Sequence, residues 1–121
     1  MNKVVILQTF PRLSLYSDEN FRGRVRVLRG NLGIRNLDGR FDVESLRFFS
    51  TSSNATLVLF SRRNFQGAFR VFRGNRSIAD LDDIIAGNDA DSLISSNVRL
   101  TLAQIREIRR TGRLPSGFRR I

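Results

Sequence analysis

Two stretches decide the fold: RLSLYSDENFRGRVRVLRGNLGIRNLD at residues 12–38, and TLVLFSRRNFQGAFRVFRGNRSIADLD at residues 56–82. They align without a gap at a constant offset of 44. The identical pairs include Leu13/Leu57, Leu15/Leu59, Ser17/Ser61, Asn20/Asn64, Phe21/Phe65, Gly23/Gly67, Val27/Val71 and Gly30/Gly74. A chain that repeats itself at this period is built from two copies of one supersecondary unit. Leu13 and Leu15 alternate with polar neighbours, as do Val25 with Val27 and Phe69 with Val71, which is the period of strands. Arg-Gly-Asn at 29–31 and again at 73–75 supplies turns. A further alternation runs through Ser45–Phe48 in the first copy and Asn97–Leu100 in the second. The polar tract at residues 50–54 joins the copies. Short strands in duplicate with no long helical period indicate an all-β antiparallel sandwich.

Outside the repeat, residues 1–11 carry the apolar run Val4-Val5-Ile6-Leu7, read as an added strand. At the other end, Thr101 and Gln104 have capping-box spacing. Leu102, Ile105 and Ile108 share one helical face, and Gly112 is placed to stop the helix. The expectation for residues 101–121 is a short helix followed by a basic tail.

At 121 residues and 40% hydrophobic content, the chain has room for one domain with a proper core. The apolar run at 4–7 is too short for a membrane span or a signal-peptide core, so a cytoplasmic protein, or one released without a signal peptide, is expected. No His and no Cys occur. That removes serine–histidine and cysteine–histidine catalysis, ordinary zinc sites and disulfides. The eight Asp and three Glu show no paired-carboxylate spacing, and no phosphate-binding glycine loop is present, so an enzyme is not expected. The 21 basic residues, all arginine except Lys3, outweigh 11 acidic ones and give a net charge of +10. Such a surface attracts polyanions with strong salt dependence.

Each copy also carries aromatic-x-x-x-x-Phe-x-Gly: Tyr16, Phe21 and Gly23, then Phe60, Phe65 and Gly67. In physical terms a hairpin folds over the sheet, the first aromatic packs beneath it, and the glycine takes a positive φ. The twice-occurring motif resembles that of the βγ-crystallin family, over roughly residues 12–100. The resemblance implies a sandwich of two Greek keys, at residues 12–49 and 56–100, each lending a strand to the other's sheet. It also implies a serine that ties down each hairpin: Ser45 in the first copy, and Ser92, Ser95 or Ser96 in the second.

Microbial members of that family bind calcium through Asn/Asp–Asn/Asp–x–x–Ser/Thr–Ser. In the first copy Arg40 and Phe41 stand where ligands belong; in the second, Asn88, Asp89, Asp91 and Ser95 are the candidates for one calcium site. A polar loop whose Asp residues form turns is the competing reading. Phe72, next to Val71, is expected to point outward among arginines as a contact surface. Arg24, Arg26 and Arg70 are expected to form a solvated face or to pair with Asp18, Glu19, Asp80, Asp82 and Asp83.

The function expected is a non-enzymatic structural or interaction module that associates with itself or with another macromolecule. One alternative is binding of nucleic acid or acidic polysaccharide through Arg106, Arg109, Arg110, Arg113, Arg119 and Arg120. Weak calcium binding is another.

Overall fold

The computed structural model describes residues 9–39 and 41–121. The expected N-terminal strand therefore falls largely outside the described residues. The elements are β1 (Arg12–Asp18), β2 (Arg22–Arg29), β3 (Leu32–Ile34), β4 (Ser45–Phe49), β5 (Thr56–Arg62), β6 (Gln66–Arg73), β7 (Arg76–Ile78), β8 (Ser92–Ser96), α1 (Leu102–Thr111) and β9 (Arg119–Arg120).

Two sheets form. Sheet A has the order β2-β1-β4-β7, and sheet B the order β6-β5-β8-β3-β9. The third strand of each repeat, β3 or β7, sits in the sheet of the other repeat. All pairings are antiparallel except β3 with β9. This is the two-Greek-key, all-β sandwich expected from the repeat, with one strand more.

Leu13, Leu15, Leu46, Phe48 and Ile78 of sheet A face Leu32, Ile34, Leu57, Leu59, Phe72 and Leu93 of sheet B in one core. A second core lies on the far side of sheet B. There Val58, Phe60, Phe65 and Ile94 are sealed by Leu100, Ile105 and Ile108, with Phe69 and Val71 at its margin. Helix α1 is the cover. Its N-terminus is fixed by the capping box: Gln104 N–H donates to Thr101 Oγ1 at 3.2 Å, and Thr101 N–H donates to Gln104 Oε1 at 2.8 Å. Gly112 closes it at φ 70°, its N–H donating to Ile108 O.

Four expectations are corrected. Phe72 is buried in the inter-sheet core, and it is Phe69 and Val71 that face outward beneath the helix. The fourth strand of the second repeat is Ser92–Ser96, not Asn97–Leu100. Leu102 is exposed, and the buried helical stripe is Ile105 and Ile108. The C-terminal segment is no free tail: Arg119 N–H donates to Asn31 O and Ile121 N–H to Gly33 O, which adds β9 to sheet B.

Candidate functional site

The motif residues meet as their chemistry requires. Tyr16 and Phe21 pack edge to face at 5.6 Å between ring centroids, and Phe60 and Phe65 at 5.9 Å. Ser45 Oγ accepts from Phe21 N–H at 3.0 Å and donates to Asp18 O at 2.6 Å. Ser92 does the same for the second hairpin, accepting from Phe65 N–H at 3.0 Å and donating to Arg62 O at 2.6 Å. The competing candidates are placed elsewhere. Ser96 Oγ donates to Val98 O, and Ser95 is fully buried with its hydroxyl unpartnered. Gly23 and Gly67 stand at φ 81° and 82°. A Cβ at Gly23 would run into Ser17 Oγ, and one at Gly67 into Ser61 Oγ. Those hydroxyls are engaged, accepting from Arg24 N–H and Ala68 N–H. The repeated serine at 17 and 61 thus belongs to the motif, although its role had no sequence signal beyond the repeat itself.

The candidate calcium ligands do not converge. Asp89 Oδ1 accepts from Asp83 N–H, and Asn88 Nδ2 donates to Ile85 O, so both are committed to their own turn. Ser95 lies four residues beyond Asp91 along a strand, about 13 Å away, and its register partners are Leu32 and Leu57. The topology instead gathers Glu19, Glu44 and Asp82, whose carboxylate oxygens lie within 4.8 Å of one another. Glu44 immediately precedes the hairpin-tying Ser45, Glu19 comes from the first hairpin, and Asp82 from the second repeat. Three clustered carboxylates suit a hard cation with oxygen ligands.

This cluster belongs to a larger acidic end. Desolvation, and then Asp82, Glu19, Asp38 and Asp42, raise the Glu44 carboxyl above its ordinary range. Asp82 is raised by desolvation and by Asp80, Asp89, Asp83 and Asp38. Asp38 is raised by desolvation and by a shared hydrogen bond with Asp91. Of the eleven carboxylates only Asp18 and Glu107 fall outside these mutually repelling groups. The loops at residues 36–44 and 79–91 therefore concentrate the negative charge and leave the rest of the surface to arginine.

Of the two expectations for Arg24, Arg26 and Arg70, a solvated face or pairing, all three are exposed and none is in an ion pair among the described residues. Among the described residues the only ion pair is Arg110 with Glu107. Six guanidinium–aromatic contacts occur instead, with Arg47 at 4.0 Å over Phe21, Arg12 at 4.9 Å over Phe49 and Arg109 at 5.0 Å over Phe69. Of the arginines proposed for polyanions, Arg106, Arg109 and Arg110 line one open groove with Arg62, Gln66 and Gly67. Arg109 is partly spent there, donating to Gly67 O, while Gln66 Nε2 donates to Arg109 O. Arg113 lines a separate hollow beside Leu114 and Pro115. Arg119 donates to Arg29 O, and Arg120 continues β9. The six do not form one site.

The outer faces of the two sheets, related by the repeat, differ in kind. On sheet B, Val58, Phe69, Val71 and Ile94 are covered by α1. The equivalent positions on sheet A are Ser14, Val25, Val27 and Arg47. Val25 is 55% exposed, Val27 49% and Phe49 37%. Among the described residues no element covers them. The sequence carries this signal, since the repeat alignment sets Ser14 against Val58, but it becomes legible only once α1 is seen on the other face.

No protein-family model matches the sequence, and no curated protein matches it. Solved structures do match the fold. Spherulin 3a from Physarum polycephalum aligns with a TM-score of 0.57 at 18% identity, over 82% of this chain and 95% of that one. A domain solved in work on the evolution of the eye lens βγ-crystallin domain fold gives 0.53 at 22% identity, over 78% and 93%. The N-terminal domain of protein S gives 0.50 at 15% identity, over 74% and 99%.

Proposed function

We propose that this chain, which has the βγ-crystallin domain fold, is a non-enzymatic interaction module that associates through the uncovered outer face of sheet A. One observation carries the reading. The same face of the twin sheet is closed by the chain's own helix, whereas Val25, Val27 and Phe49 are left open on a rigid scaffold. β2 is moreover an edge strand, exposed along residues 22–27, and such an edge can accept a further strand. The occupant is a second copy of the chain or another macromolecule. Sedimentation of the full chain at rising concentration tests self-association. The expected result is a mass that grows with concentration and reverts to that of a monomer when Val25→Asp and Val27→Asp are combined. A constant monomer mass at high concentration overturns it.

Calcium binding is the second reading, favoured by the Glu19, Glu44 and Asp82 constellation. A cation there would offset the desolvation and the neighbouring carboxylates that together raise the Glu44 and Asp82 carboxyls. Thermal unfolding with millimolar calcium or with chelator tests it: calcium raises the midpoint, and identical midpoints dispose of the idea.

A further inference from the structure

One groove on the outer side of sheet A is built differently from the rest of the basic surface. It runs across β1, β4 and β7 and is lined by Arg12, Arg47, Phe49, Asn75, Arg76 and Ser77. Its two outward guanidiniums lie on aromatic rings, Arg12 over Phe49 and Arg47 over Phe21; Arg76 pairs with Phe48 and turns its own guanidinium to the inner side, over Phe72. Stacking holds the planes and leaves the N–H edges as donors. Among the described residues neither Arg12 nor Arg47 is in an ion pair, and the carboxylates are concentrated in the loops at residues 36–44 and 79–91. Phe49 stands between them, packed against Phe10 at 5.9 Å and still 37% exposed. Asn75 spends its Oδ1 on Ser50 N–H, which keeps its amide hydrogens for a ligand.

In the twin sheet the positions of Arg12, Arg47 and Phe49 are Thr56, Ile94 and Ser96, all buried and without charge. The combination of fixed cations and an open aromatic is thus particular to this face. Acidic polysaccharide or an acidic peptide would satisfy the arginines but offer the ring no flat π-face to stack on. Duplex nucleic acid hides its base faces. A single strand offers both phosphates at the guanidinium edges and unstacked bases for the ring.

We propose that the groove formed by Arg12, Arg47, Phe49, Asn75 and Ser77 binds single-stranded nucleic acid, with phosphates on Arg12 and Arg47 and a base on Phe49. It shares Phe49 with the open face but neither Val25 nor Val27, so the Val25 and Val27 variants read self-association separately from strand binding.

The test is fluorescence anisotropy of a labelled oligothymidylate titrated with the full chain at several salt concentrations. Two phosphate contacts predict a log–log salt slope of roughly −1.4. Phe49→Ala weakens binding about five-fold or more with the slope unchanged. Arg47→Gln weakens it and makes the slope shallower by about 0.7. The circular dichroism spectrum and melting midpoint of each variant establish that it is folded. If Phe49→Ala fails to fold, Phe49→Ser, the residue present in the twin sheet, replaces it, and Arg47→Gln gives an independent reading. Equal affinity for duplex or heparin, with no loss in the Phe49 variant, overturns the proposal in favour of unspecific polyanion binding. Loss of binding in Arg106→Gln with none in Arg47→Gln overturns it in favour of the groove beside α1. Absence of binding at low salt overturns it outright, and the Val25/Val27 sedimentation result is unaffected.

Discussion

Removing one hydroxyl from each repeat should give unequal losses, and the inequality follows from the helix. Ser92→Ala deletes an oxygen that accepts from Phe65 N–H and donates to Arg62 O. Phe65 is fully buried, and the hairpin is clamped by Gln66 to Arg109 O and by Arg109 to Gly67 O. Water has no route to the orphaned N–H, so its full desolvation cost appears, about 1–3 kcal/mol, with about 1 kcal/mol more for the lost bond to Arg62 O. The expected loss is ~3 kcal/mol. Ser45→Ala deletes the same pair of bonds, to Phe21 N–H and Asp18 O. Phe21 is only half-buried where Phe65 is fully buried, so water reaches the Phe21 N–H after the change and the net cost is ~1.5 kcal/mol. Urea unfolding of the two variants and the parent measures both. For a domain near this size the losses correspond to midpoint decreases of ~12 °C and ~6 °C. Equal losses, or a larger loss for Ser45→Ala, would refute the claim that α1 excludes water from the second hairpin.

Other outcomes follow from the same structure. Ile108→Ala opens the second core and costs ~3 kcal/mol by urea unfolding, whereas Val27→Ala on the uncovered face costs less than ~0.5 kcal/mol. Gly67→Ala is expected to cost at least ~2 kcal/mol, because alanine resists φ 82° and its Cβ meets Ser61 Oγ and Arg62 Cγ. For Glu44 the folded-state pKa is raised by desolvation and neighbouring carboxylates. The native state therefore binds the proton more readily than the unfolded chain, and this group's contribution to stability falls as pH rises through the folded pKa. Glu44→Gln should accordingly raise the melting midpoint at pH 7 and leave it unchanged below about pH 4; a lower midpoint at pH 7 would contradict the repulsion.

The repeat made the two hairpins legible, because Tyr16, Phe21 and Gly23 recur as Phe60, Phe65 and Gly67 with a local physical reason for each. The capping box at Thr101 and the stop at Gly112 were legible on the same grounds. β8 was not. Ser92–Ser96 is buried along its whole length, so serine sits where alternation demands apolar residues and the strand leaves no period. Phe72 misled because β6 has two cores to serve: Phe69 and Val71 belong to the one beneath α1, so the conspicuous apolar alternation points away from the space between the sheets. β9 is two arginines joined to sheet B by backbone bonds, with the Arg119 side chain adding one bond to Arg29 O, a pairing without an apolar signature. Glu19, Glu44 and Asp82 are far apart in the chain, and only the exchange of strands between repeats brings them together. The groove on sheet A was likewise hidden, since Arg12, Arg47 and Arg76 come from three strands of two repeats.

We propose that this domain meets its partners through the open outer face of sheet A, not through the helix-covered face of sheet B. Amide-resolved NMR of the full chain tests it directly, recorded while protein concentration is raised and, separately, while oligothymidylate is added. Shift changes confined to β1, β2, β4 and β7 are the predicted result. Changes centred on α1, β6 and Arg62, or no changes in either titration, would contradict it.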